Sequence, residues 1–183
     1  MSTMLFARRR AAVILLALIA MTALSTALTS AHCFGGRFPY TRGTWLYLGY
    51  TQSGAYATPV HNAARSWHNT PTRAVVFTEA YANSEIDFFT QYRSESWWGL
   101  AVNNPCSGSG CTYRWSTLYL NSRTLGAESD FIRQKVAAHE FGLGLGLAHT
   151  TDSWYSSIMK QGYLNYNTPQ QHDINDFNAL YPY

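Results

Sequence analysis

The sequence predicts a mixed α/β (α+β) domain, with helices laid against a five-stranded sheet, on three observations. Short aromatic or β-branched runs recur along the first two thirds of the chain, a helical stretch falls between the first two of them, and two more helices follow. A helical crossover that early implies a mixed sheet rather than a bundle. Thr44 to Tyr50, rich in aromatic residues, is the first strand. Pro59 to Asn69 places Val60, Ala63, Ala64 and Trp67 at helical spacing, with Pro59 in the first turn and Asn69-Thr70-Pro71 as the stop. Ala74 to Thr78, Glu85 to Phe89, Trp98 to Val102 and Ser116 to Asn121 supply the remaining strands. A second helix starts near Ser129, whose side chain can accept from free first-turn amides, and runs through Phe131, Ile132, Val136 and Phe141. The last helix starts at Thr168-Pro169 and carries Ile174, Phe177 and Leu180 as an apolar stripe before Pro182.

Of the 183 residues, 46% are apolar and 13% charged, enough apolar material for the core of one domain. The N-terminus reads as an export signal over residues 1–31: Arg8, Arg9 and Arg10 precede the apolar run Ala11 to Met21, and small and polar residues follow. That run falls short of the ~20 residues a membrane span needs. Its removal takes away three of the thirteen basic residues and no acidic ones, leaving ten of each sign. The remaining Lys and Arg are scattered, so no footprint for nucleic acid is left. The expected product is a secreted, extracellular monomer without membrane attachment. It would have a short N-terminal segment, residues 32–43, followed by the domain, residues 44–183.

Export makes the cysteines readable, because an oxidising compartment lets thiols pair. Cys106 and Cys111 bracket Ser-Gly-Ser-Gly and are expected to form a disulfide that steadies one connection. Cys33 is left as the odd thiol of the N-terminal segment.

The second helix carries "AAHEFGLGLGLAHT", Ala137 to Thr150. Residues four apart on a helix are rotated by about 40° net and separated by about 6 Å, so positions 139 and 143 share a face. Two imidazoles there could hold one zinc ion, and a glutamate after the first would stand beside the metal-bound water as general base. A glycine three residues after the second position lets the chain turn, and a further histidine would complete a three-nitrogen site. His139, Glu140, Gly146 and His149 occupy four of these five places, at the spacing of the metzincin signature H-E-x-x-H-x-x-G-x-x-H. Leu143 occupies the fifth.

Other segments agree. Ser157-Ile158-Met159 is similar to the Met-turn of that superfamily, Trp115 to Asn121 resembles the strand before the active-site helix of matrixins, and Gln170 to Tyr181 resembles their closing helix. The chain therefore resembles a secreted matrixin-type zinc metalloprotease catalytic domain over most of residues 44 to 181. That resemblance implies a zincin-like fold with a twisted, mostly parallel sheet, three helices and a Met-turn beneath the active site. It implies a zinc cofactor on His139 and His149, Glu140 as the catalytic base, Met159 packed beneath the metal without bonding it, and Tyr163 in the substrate pocket. It also departs from the family: no histidine lies between Thr90 and Arg114 to serve a structural zinc site, and Gln161-Gly162-Tyr163 lacks the family's proline.

Leucine has no lone pair for a metal, so zinc occupancy is expected to be weak or absent and peptidase activity absent or severely reduced. The fold is expected to survive, since Leu is a good helix former of similar bulk to His. Two alternatives stand beside this crippled-protease reading. One is an active peptidase using two-histidine zinc or a surrogate ligand from His61, His68, His172, His32, Cys33 or Asp152. The other is a noncatalytic protein that keeps the cleft and binds a peptide or protein there.

Overall fold

The computed structural model describes residues 34–39, 44–50, 54–71, 75–79, 84–104 and 110–181, with the backbone alone at 44–50 and 75–79. The expected signal, residues 1–31, and His32, Cys33 and Cys106 lie outside the described residues. The strands are β1 (Gly36–Arg37), β2 (Thr44–Tyr50), β3 (Val75–Glu79), β4 (Ile86–Gln91), β5 (Gly99–Asn104), β6 (Cys111–Thr112) and β7 (Trp115–Asn121). The α-helices are α1 (Ala57–His68), α2 (Ser122–Leu125), α3 (Asp130–Gly144) and α4 (Gln171–Leu180).

Five strands form one mixed sheet in the order β3-β2-β4-β7-β5. The crossover through α1 brings β3 back parallel to β2, with Thr44 opposite Val75. β4 lies parallel to both β2 and β7. β5 alone runs antiparallel, pairing Gly99 with Leu120 and Asn104 with Trp115 along one edge. Burial alternates as a half-covered sheet requires: Ile86 and Phe88 of β4 and Ser116, Leu118 and Leu120 of β7 are buried. α1 buries Val60, Ala63, Ala64 and Trp67, and the Trp67 indole donates to the carbonyl of Ala138 at 2.9 Å, locking α1 to α3. Phe88 meets Phe141 with ring centroids 4.9 Å apart.

Three features differ from the sequence-based expectation. α2 is a one-turn helix capped by Asn121, too short to show an apolar period. β1 and β6 form a two-residue parallel pair, Gly36 with Cys111, where no alternation could be read. α4 begins at Gln171 rather than at Thr168-Pro169, because a capping box between Gln170 and Asp173 sets its first turn. The Ser129 cap of α3 is where the sequence puts it, with its hydroxyl accepting from the Ile132 amide at 3.4 Å. Cys111 is disulfide-bonded, and either cysteine it could pair with lies outside the described residues. Among the described residues no helix is long and apolar enough to cross a membrane.

Candidate metal centre and its cleft

α3 is held at its back and at its end. At Gly142 an added Cβ would meet the Met159 sulfur at 2.3 Å and the Trp67 ring at 3.1 Å, so only glycine lets both pack against the helix backbone. The helix ends in a Schellman motif: the Leu147 amide donates to the Gly142 carbonyl at 2.9 Å, the Gly146 amide to Leu143 at 3.0 Å, and Gly146 has φ 101°. Asn103 of β5 donates to the Leu143 carbonyl at 2.9 Å, and the Ser116 hydroxyl of β7 donates to that of Gly144 at 2.9 Å. The chain thus leaves the helix in one direction and returns His149 to its face.

Beneath the helix, the turn Ser157-Ile158-Met159 is organised by Asp173, buried on α4. Its carboxylate accepts from the Ser157 hydroxyl at 2.5 Å, the Ile158 amide at 2.8 Å and the Gln170 amide at 2.7 Å. Burial nonetheless pushes its carboxyl above the usual range, with those bonds pulling the other way. The fixed turn aims the Ile158 carbonyl at His139 Nδ1, 2.8 Å away.

That contact settles the tautomers. A carbonyl can only accept, so Nδ1 of His139 carries the proton and its Nε2 is a bare acceptor. His139 Nε2 lies 3.0 Å from His149 Nε2, which must donate. Burial, reinforced by the Lys135 charge, lowers the pKa of His139 to about 3, and that of His149 is lowered by the same two causes. The two rings stack at 25° with centroids 4.9 Å apart.

Two nitrogens of one tetrahedral zinc, each about 2.0–2.1 Å from it, sit about 3.3 Å apart, so the pair converges much as two ligands would. The third donor fails: Leu143 stands one turn beyond His139 in the cleft wall and offers only methyl groups. Among the described residues no group of three His, Cys, Asp or Glu side chains is placed to hold a metal. The residues present therefore do not fit a three-histidine zinc site.

Glu140 is buried beside them. Its Oε1 lies under β5, where a Cβ on Gly99 would meet it at 2.3 Å, and its Oε2 has no hydrogen-bond partner. Burial raises its pKa to about 8 against the pull of the Lys135 charge. The cleft itself, about 490 Å³, runs between α3 and β5, with Trp97, Trp98 and Gly99 on one wall and Lys135, Val136 and Leu143 on the other.

Of the remaining singled-out residues, Met159 packs under the helix at Gly142. Tyr163 turns its ring edge-on to Trp98, centroids 4.7 Å apart, and donates to Glu128 at 2.7 Å; it is 66% exposed, and the cleft wall reaches only Gln161 and Gly162. His61 and His68 lie on α1, Asp152 accepts from the Tyr155 hydroxyl at 2.7 Å, and His172 stacks on Tyr155 at 3.6 Å. None of these four joins His139 and His149. Reasoning from sequence missed Asn103, Ser116, Gly99, Lys135 and Asp173. Only Lys135 carried a signal, four residues before His139 and so on its face.

No protein-family model and no curated protein sequence matches the chain. Among solved structures it is similar to myroilysin, with a TM-score of 0.52 and 15% identity over 79% of this chain and 95% of that one. A second myroilysin structure matches at 0.46, with 16% identity over 84% and 92% of the two chains. High choriolytic enzyme 1, a hatching-enzyme zinc-protease from Oryzias latipes, matches at 0.47, with 15% identity over 83% and 96%. The last two scores are too low to add weight. At such identity the likeness is one of fold, and the chain has a mixed α/β scaffold of the kind seen in myroilysin.

Proposed function

We propose that this chain is a secreted, extracellular, monomeric protein with a matrixin-like metalloprotease scaffold whose metal centre is disabled at Leu143. The observation that carries the reading is the pairing of His139 Nε2 with His149 Nε2 at 3.0 Å, beside a leucine at the third converging position. A ligand-capable pair without a third donor holds zinc weakly, and loss of even a supporting residue typically costs about 10–100-fold in affinity or activity. His139 and His149 are the residues left for zinc, Glu140 stands at the general-base position, and Met159 supplies the Met-turn. Peptidase activity is accordingly absent or severely reduced.

The cleft is retained, which supports a second reading, a noncatalytic protein that binds a peptide or protein between α3 and β5. Trp97 and Trp98 in its wall favour that reading, since aromatic faces give large contact area. One experiment separates the two. The protein and its Leu143→His variant are compared for bound zinc and for cleavage of an unstructured protein substrate. The disabled-protease reading expects zinc and cleavage only in the variant. Equal zinc and equal rates in both proteins would overturn it, and a variant that binds zinc but cuts nothing favours the binding protein.

A further inference from the structure

Lys135 is an unusual residue for the wall of this cleft. It lies on α3 one turn before His139 and two before Leu143, so the three form one stripe facing the cavity. It is 3% exposed, yet its ammonium makes one hydrogen bond, to the Lys160 carbonyl at 3.2 Å. Among the described residues no carboxylate lies within ion-pair distance of it. Two N–H donors are thus left without a direct ion-pair partner, Glu140 acting on the charge only from beyond that distance, in a cleft that Val136, Trp98, Gly99, His139 and Glu140 also line.

Burying an unpaired cation is unfavourable, and a leucine or methionine would fill the same helix position without that cost. Anchoring Lys160 does not require a charge. A ligand carboxylate entering the cavity would supply the missing partner, through a charge-assisted hydrogen bond strengthened by apolar surroundings. Burial lowers the amine to about 8, with Glu140 opposing, so it is still largely protonated at neutral pH.

We infer that Lys135 makes the cleft selective for a peptide that presents a carboxylate, either an Asp or Glu side chain or a free C-terminus. The inference rests on the reading of this cleft as a peptide site, and it holds whether or not the scaffold cuts.

The test is retention of peptide pools by the immobilised protein at neutral pH. Acetylated, amidated heptapeptide pools, randomised over uncharged residues, carry Glu or Gln at the centre; a third, Gln-centred pool keeps a free C-terminal carboxylate. Retention of the Glu pool about tenfold above the Gln pool identifies a side-chain carboxylate, and the same excess for the third pool identifies a C-terminus. The preference should vanish in Lys135→Met, whose thermal melt, no lower than that of the parent protein, shows that it folds, and persist in Lys135→Arg. Equal retention of all three pools, or a preference that survives in Lys135→Met, overturns the inference and leaves the peptide cleft standing. Retention of none overturns both.

Discussion

The two sides of α3 obey different rules. Its back carries Ala137, Ala138, Phe141 and Gly142 against Trp67, Phe88 and Met159, a close-packed apolar contact with one indole hydrogen bond. Its front carries Lys135, His139, Glu140 and Leu143, three ionisable groups and an apolar one along the cleft. Every ionisable group on the front is pushed by burial toward its neutral form. The back stabilises the fold, whereas the front bears polar groups that folding alone would not select.

The comparison can be broken most severely from the back. Trp67→Ala removes a buried ring and its bond to Ala138 and should cost about 3–5 kcal/mol, read as a lower urea midpoint. Leu143→His acts on the front: with zinc at about 100 times its dissociation constant, the variant should gain about 2.7 kcal/mol and melt higher, while the protein as written shows no zinc-dependent shift. Asp173→Asn weakens the acceptor of three donors under the site and should cost about 2 kcal/mol in urea unfolding, loosening the turn that orients His139.

The last effect is a slope. Glu140 has a folded pKa of about 8 against an ordinary 4.5, so between these values the folded state binds more protons than the unfolded one. Its contribution is fully present below the unfolded value and is lost as pH rises through the window. In metal-free protein Glu140→Gln should flatten the decline in stability between pH 5 and pH 8. An unchanged slope would place Glu140 in water rather than beneath Gly99.

Legibility in the sequence followed the same division. β2 spans Thr44–Tyr50 as read from its aromatic run, α3 starts at its Ser129 cap, and the apolar stripe of α1 is the face it buries. These rest on local periodicity and capping, which neighbouring residues determine among themselves. α2 and the β1–β6 pair were invisible because four or two residues cannot display a period.

At the site, spacing alone placed His139 and Leu143 on one face, and the chemistry of leucine alone showed that residue 143 offers a metal no donor. The positions of Asn103, Ser116 and Asp173 could not be read that way. They act across 40, 28 and 15 residues respectively, through hydrogen bonds to backbone groups that only the folded chain brings near. The sequence by itself determined that His139 lies on α3 and that position 143 offers a metal no lone pair. Tertiary structure decided that the His139 and His149 rings meet, that Glu140 lies buried under Gly99, and that Lys135 lines the cleft with no carboxylate of the described residues within ion-pair distance. Burial and long-range partners are properties of the packed chain, and no local pattern encodes them.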